Sequence, residues 1–555
     1  MGSTGGIFTI LSNDGKQDRM VQATELLRMR LERISQARRE RGLDPTPTLV
    51  DIEKTHILFM NAHFKPYAAI GYEYNKVRVQ SGTVSLNSTI LFSIPQFGDF
   101  FHDMVLHIRL GQVSASNANH TWRWCAFPGE RLIEKVKFNV NGNPLDEYYT
   151  QDYNFYRKFQ LPPNKREGWW RCMGQQLQHA AQVVPSAPSV GSLAVGDPTG
   201  TNTTPGFGTG MGNAVDDSVG FWMNVTDGYQ TVKTGTAHAA TTAGSGHVRT
   251  DVLEVTVPLL FWFNLDPRLA IPSVSIPHGQ RYMEFDLTQL SNLCQGVSVA
   301  GGNGTSATTA ATLSIASTEV PLCTLYVNNI FVNPEIHDIY IKRIGFNLVR
   351  VHRRQLNRIV DATNGELLLN SIKWPVEHIY FGFRPATQSV ASASLKYLDG
   401  WHMFAEAVPV SAGISVVGGG TYVTNPLTVQ YTKYLPLVNQ VSFTAHGISI
   451  YNEIPANFFN QYIPFAYGDR VNTPDDPGAY MVTFNLYPHE YQPSGHINFS
   501  RAREFYVKFD DTVSGAVRNL GTPVDSTNTA DFMGSACALN FLLVSDGSAI
   551  LRYTT

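Results

Sequence analysis

The run QPSGHINFSRAREF at 492–505 puts a histidine, two serines, two arginines and a glutamate within one short segment. A serine beside a histidine is the raw material of nucleophilic hydrolysis, but the base must come within about 3 Å of the hydroxyl. Ile497 and Phe499 alternate with His496, Asn498 and Ser500, which is the period of a strand. At about 3.3 Å per residue, His496 and Ser500 would stand roughly 13 Å apart, too far to couple. The alternation resumes at Phe505, Val507 and Phe509. The polar residues His496, Asn498, Ser500, Arg501, Arg503 and Glu504 are therefore expected at a sheet corner, as a buried hydrogen-bonded clasp. No catalytic role is expected of them.

Other chemistry is hard to find. The chain has no HExxH, no GxxxxGK[ST], no GxSxG and no GxGxxG opening a helix, which removes the common short-motif hydrolases and nucleotide binders. Asp475/Asp476 and Asp510/Asp511 lie in turn-like contexts, where hydrogen bonding to the turn is the expected role. His63 and His107 sit among apolar residues and read as core or boundary histidines. Cys125, Cys172, Cys294, Cys323 and Cys537 are odd in number and scattered, so neither a disulfide framework nor a zinc motif is indicated. The sequence therefore implies no cofactor, no metal and no enzyme activity.

The bulk numbers narrow the class further. Charged residues make up 16% of 555 positions and the net charge is −3, which gives no field for nucleic acid. The N-terminus shows no signal-peptide pattern, and the longest apolar runs fall far short of the roughly 20 residues of a spanning helix. A soluble protein made in a reducing cytosol is expected. The length exceeds what one core usually serves, so two domains are the first expectation.

The elements that must position these residues are mostly strands. Val136, Phe138 and Val140 alternate with polar residues, and Asn141-Gly142 then offers a hairpin turn. MVTFNLYP, HIYFGF at 378–383, VSFTAHGISI at 441–450 and CALNFLLV at 537–544 are further β-rich runs, punctuated by turn clusters such as TPDDPGAY at 473–480. No helical pattern separates successive strands, so the expected class is all-β, built from antiparallel sandwiches rather than a parallel α/β sheet. One helix is clear, at 17–42, with Met20, Ala23, Leu27, Leu31 and Ile34 on one face and Gly42 as its stop. Its other face carries Arg28, Arg30, Arg33, Arg38 and Arg39, expected as contacts of a terminal arm with a partner or an anionic surface. Long loops of little charge are expected at 173–250 and 386–432, and a boundary near 333–338. The expected division is an arm at 1–50, one sandwich at 51–333 and a second at 334–555.

QPSGHINFSRAREF also resembles the C-terminal signature of the major capsid proteins of nucleocytoplasmic large DNA viruses. NAHFKPYAAIGYEYNKVR (61–78), PGERLIEKVKFNVNGNPLDEY (128–148), LFWFNLDPRLAIPSVSIPHGQR (260–281), LYVNNIFVNPEIHDIYIKR (325–343) and GSAILRYTT (547–555) are similar to the African swine fever virus and faustovirus type of that family. The resemblance covers most of the chain. It implies a double jelly roll of two eight-stranded sandwiches, and a homotrimeric, pseudo-hexagonal capsomer that tiles an icosahedral shell. It also implies outward crown loops and an inward arm that meets minor capsid and penton proteins or the inner viral membrane. Neighbouring capsomers and a virus-encoded folding chaperone are further implied partners, with assembly in host cytoplasmic viral factories. The family has no catalytic residues to carry over. A penton or minor capsid protein is the nearer alternative. A glycan-binding β-sandwich, suggested by Trp169, Trp170 and Trp222, is the alternative from a different class.

Overall fold

The computed structural model describes residues 16–46, 71–80, 84–111, 113–115, 120–175, 253–276, 280–299, 307–311, 313–315, 320, 322–332, 345–359, 364–385, 400–414, 417–418, 421–422, 427–467, 470–501, 504–511, 530–545 and 548–553. His63, Trp222, Arg503, the expected boundary at 333–338 and residues 176–252 of the first expected loop lie outside these.

The first group of strands is β1 (Gly71–Arg78), β2 (Thr89–Ser93), β3 (Phe100–Leu110), β4 (Ile133–Val140), β5 (Asn143–Tyr149), β6 (Leu253–Pro258), β7 (Arg281–Leu287) and β8 (Leu322–Phe331). They form two antiparallel sheets, in the orders β1-β8-β3-β6 and β2-β7-β4-β5. The second group is β9 (Gly345–Ile359), β10 (Asn364–Leu368), β11 (Pro375–Pro385), β12 (Val438–Ala445), β13 (Ile448–Pro455), β14 (Ala479–Thr483), β15 (Phe505–Asp511) and β16 (Ala530–Ser545). Its sheets run β9-β16-β11-β14 and β10-β15-β12-β13. Adding eight to each strand number of the first set gives the second. That is one jelly roll built twice, with no repeat in the letters of the sequence.

Local chemistry explains the strands that the sequence announces. Val136, Phe138 and Val140 of β4 are fully buried, and β7 alternates buried and half-buried along its length. Asn141 and Gly142 take φ of 51° and 80°, the left-handed pair that a tight hairpin between β4 and β5 requires. HIYFGF and CALNFLLV read as near-continuous apolar runs for a different reason. Strand β11 is buried on both faces, one against the core of its own roll and one toward the first roll, and β16 is largely so until Phe541 and Leu543, which are half-buried and exposed.

Among the described residues, helices are few and short apart from α1 (Lys16–Glu40). Its end is a left-handed Gly42 (φ 68°), with Gly42 N–H bonding Arg39 O and Leu43 N–H bonding Arg38 O. Two more, α2 (Pro128–Leu132) and α3 (Thr150–Phe155), follow β3 and β5, and a π-helical turn at Tyr156–Gln160 continues α3. Within 386–432, expected as one long loop, Glu406–Ile414 pairs with Leu427–Leu435 as an antiparallel ladder. Valines at 408, 410 and 429 suit that ladder, and their alternation was obscured by the surrounding Gly and Ser residues.

Candidate functional site

The two rolls meet along a seam formed by β5, α3 and the π-helical turn of the first roll against β9, β11 and β16 of the second. Aromatic rings fill its centre. Phe155 stacks on Phe404 with centroids 5.1 Å apart, and Phe159 stacks on Tyr380 at 4.6 Å. Tyr148 lies 5.3 Å from the His352 ring. Such pairs add to simple area burial through the ring quadrupole.

Charged groups fix the register of the seam. Asp476 is 1% exposed and accepts from Lys158 Nζ (2.5 Å), Phe404 N–H (2.7 Å), Ala405 N–H (3.1 Å) and Gly478 N–H (2.9 Å). Lys158 belongs to the π-helical turn, so this buried pair crosses from roll to roll. Burial lowers the Lys158 ammonium to about 8, against the pull of Asp476. A side chain at Gly478 would place Cβ 2.5 Å from the Phe404 carbonyl carbon, so glycine alone lets the two segments close.

A second crossing joins Asp146 of β5 to His352 of β9, whose backbone N–H and Nδ1 each lie 2.9 Å from a carboxylate oxygen. Burial opposes a charge on His352, yet the Asp146 carboxylate outweighs it and holds the imidazole above its ordinary value. Ser535 of β16 bonds Asp152 of α3. Asn154 donates to His402 O at 2.7 Å, Trp401 to Ala126 O at 2.6 Å, and Asn472 to Leu161 O at 2.8 Å. The His402 ring is buried against Phe127, and burial, with Arg157 and Lys158 beside it, holds it well below its ordinary value.

The segment 492–505 does something else. Trp374, which precedes β11, has φ 76°, a left-handed conformation that a bulky side chain rarely adopts. Its N–H donates to Ser500 Oγ at 2.8 Å, and its carbonyl accepts from Phe499 N–H at 3.0 Å. Asn498 Oδ1 accepts from Ser500 N–H at 3.0 Å and so shapes the turn that presents the hydroxyl. Phe499 packs on Phe505 with centroids 4.0 Å apart. His496, Ser500, Arg501 and Glu504 are exposed and Asn498 is half-buried, rather than buried as expected, and the bonds of this turn run through Asn498, Ser500 and backbone.

Family models match both halves of the chain. One, "Large eukaryotic DNA virus major capsid protein", covers residues 331–550, and "Major capsid protein N-terminus" covers 62–333. The "Major capsid protein" of African swine fever virus is 33% identical over 659 aligned positions, spanning 100% of each chain. The chain belongs to this capsid protein family. Among solved structures, the Faustovirus major capsid protein is 34% identical, with 96% of this chain and 100% of that one covered and a TM-score of 0.66. A chain of the PBCV-1 virus capsid covers 90% and 100% with a TM-score of 0.56, and at 16% identity it supports the fold alone.

For a capsid protein, the seam is the internal joint of the building block. Arg30, Arg33 and Arg39 of α1 are exposed, Arg28 and Arg38 are half-buried, and Arg28 pairs with Glu32 at 3.1 Å. His107 is half-buried on the interior strand β3, a boundary residue, with Nε2 2.6 Å from Glu254. Asp475 makes a rim contact with Arg166, whereas Asp476 does more than shape a turn. Asp146, Lys158 and His352 carry no motif, so local reading had no signal for them. Among the described residues, Glu377, His378 and Cys537 have the donor composition of a metal centre.

Asp476→Ala leaves Lys158 buried without its partner and is expected to cost about 3–5 kcal/mol, seen as separate unfolding of the two rolls in scanning calorimetry. Ser500→Ala, which strands the Trp374 N–H, is expected to cost about 1–2 kcal/mol, whereas Arg501→Ala should stay within about 0.5 kcal/mol, both read from denaturation midpoints. Below about pH 6.5, the unfolded chain protonates His402 while the folded chain does not. Unfolding then takes up a proton, and stability falls by up to about 1.4 kcal/mol per pH unit for this group. His402→Phe is expected to flatten the fall of Tm between about pH 6.5 and pH 5.

Proposed function

We propose that three copies of this chain form a pseudo-hexagonal capsomer that tiles the icosahedral shell of a large DNA virus. The observation that carries the reading is the pair of rolls with one strand order, fastened side by side. Three such pairs supply six similar units around an axis, and closed symmetry is the usual way a homo-oligomer satisfies its contacts.

A second feature favours lateral contact. Strand β13 is the edge of its sheet and is exposed along most of its length, with Ile448 at 72%. An uncovered edge strand of this kind invites pairing, and burial between copies removes the hazard. The low charge of the chain lets neighbouring capsomers meet without strong repulsion. In this reading the division into an arm at 1–50 and rolls at 51–333 and 334–555 is also the division of labour. The arm faces inward, with Arg28, Arg30, Arg33, Arg38 and Arg39 meeting minor capsid or penton proteins or the inner membrane. Anionic lipid would add about 1 kcal/mol per basic residue in contact.

The protein's place is the virion shell, assembled in cytoplasmic viral factories with a virus-encoded chaperone assisting folding, and it turns over no substrate. A glycan-binding role gains little, since Trp169 is buried and donates to Glu130 at 2.7 Å. Abundance in virions separates a major capsid protein from a penton or minor one.

Native mass measurement is expected to give a species three times the 61.5 kDa chain. A stable monomer that a chaperone does not convert would overturn the proposal. Deleting residues 1–42 is expected to leave the trimer intact and to impair shell assembly in reconstitution with minor capsid proteins. Failure of the truncated chain to trimerise would place the arm within the capsomer itself.

A further inference from the structure

We propose that Glu377, His378 and Cys537 form a site for one borderline divalent metal ion of the zinc class, on the seam side of the second roll. The site starts from a fault in the ladder. Between β11 and β16, Val376 lies opposite Ala538 and His378 opposite Cys537, so Glu377 is an extra residue. In a regular strand, adjacent residues point to opposite faces. A bulge re-aims one of them, and here it brings Glu377 and His378 to the same side as Cys537. The turned Glu377 carbonyl is held by Phe484 N–H at 2.8 Å.

The donors converge closely enough for one ion. A carboxylate oxygen, an imidazole nitrogen and the thiol sulfur all lie within 4.8 Å of one another, and Cys537 Sγ is 3.7 Å from Glu377 Oε2. A tetrahedral zinc with ordinary bond lengths sets sulfur and oxygen about 3.5 Å apart. Thiolate plus imidazole selects a borderline or soft ion, since calcium and magnesium ask for oxygen ligands throughout.

His378 supplies the independent observation. It is fully buried, and neither ring nitrogen has a hydrogen-bond partner among the described residues. Its ring neighbours are Tyr380 and His489, which bond each other. A buried imidazole left this way carries an uncompensated desolvation cost that a metal bond would remove.

The surroundings match an occupied site. Thiolate and carboxylate supply two negative charges to a doubly charged ion, and Arg350, paired with Glu377, leaves the site with one positive charge. Arg350 holds both carboxylate oxygens, with Nε 2.5 Å from Glu377 Oε2 and Nη2 3.2 Å from Oε1, and Nη2 also donates to Glu490 O at 2.6 Å, so it orients the carboxylate while the metal would take a remaining lone pair of Oε2. A cavity of about 610 Å³ borders His378 and Cys537 and gives an entry path and room for a water as fourth ligand. Loading moves no electrons. The Cys537 S–H bond breaks, its proton leaves to solvent, and a metal–sulfur bond forms with the ion still doubly charged.

The test uses untagged, full-length protein stripped by a chelator and titrated with Co²⁺, then with Zn²⁺. One Co²⁺ per chain is expected, with a thiolate-to-metal charge-transfer band in the near ultraviolet that Zn²⁺ abolishes. Cys537→Ser should lose the band and bind at least tenfold more weakly, while Cys172→Ser should match the wild type. Absence of the band in the wild type, or its survival in Cys537→Ser, overturns the site. Should Cys537→Ser fail to fold, X-ray absorption at the metal edge of the wild type decides. A sulfur neighbour lost from the spectrum only when Cys537 is alkylated supports the site, and a shell of oxygen and nitrogen alone overturns it.

Discussion

The buried ion pair between Lys158 and Asp476 is the link on which the two-roll arrangement depends. Removing two charges from water is costly, and their attraction repays that only when the remaining hydrogen-bonding capacity is also filled. Asp476 fills it with three backbone N–H groups from the segments at 404–405 and 478, and Lys158 adds a bond to the His402 carbonyl. Hydrophobic packing alone would let the sheets slide, because stacked rings tolerate several offsets. A carboxylate with every acceptor site committed tolerates one placement. The pair therefore gives the joint its register more than its strength.

From that joint follows the character of the sheet facing it. Strand β11 and most of β16 have little wet surface, so the polar groups buried on them need partners inside the protein. On β16, Ser535 finds Asp152 and Asn540 bonds Tyr553, and on the neighbouring β9 His352 finds Asp146. The bulge at Glu377 is the place where this accounting leaves His378 unpaired. Irregular backbone collects here too, since Trp374 enters β11 in a left-handed conformation that the turn at 498–500 holds in place. The most constrained part of the fold is also the part with the richest chemistry.

The outside follows the opposite logic. Edge strand β13 and side chains such as Phe465 and Leu486 stay exposed on the single chain. A monomer with this surface would be prone to association, and a building block requires it. With charged residues at 16%, the surface presents few fixed charges that a neighbour must match.

Sequence alone determined whatever depends on neighbours along the chain. The alternation of Val136, Phe138 and Val140, the Asn141-Gly142 turn, the stop at Gly42 and the all-β class rest on side-chain period and backbone preference, which are local properties. The family resemblance of 492–505 was equally legible, although the bonds made there were not: the strained Trp374 that Ser500 holds lies 126 residues away. Asp476 read as a turn residue because its turn is local, while its partner Lys158 is 318 positions distant. Arg501 and Glu504 read as buried because burial of an isolated polar run has no signature of its own. Which polar residues meet, and which face of a strand a bulge turns them to, was decided only when two separately patterned halves closed against each other, because desolvation acts on side chains that tertiary contact brings together.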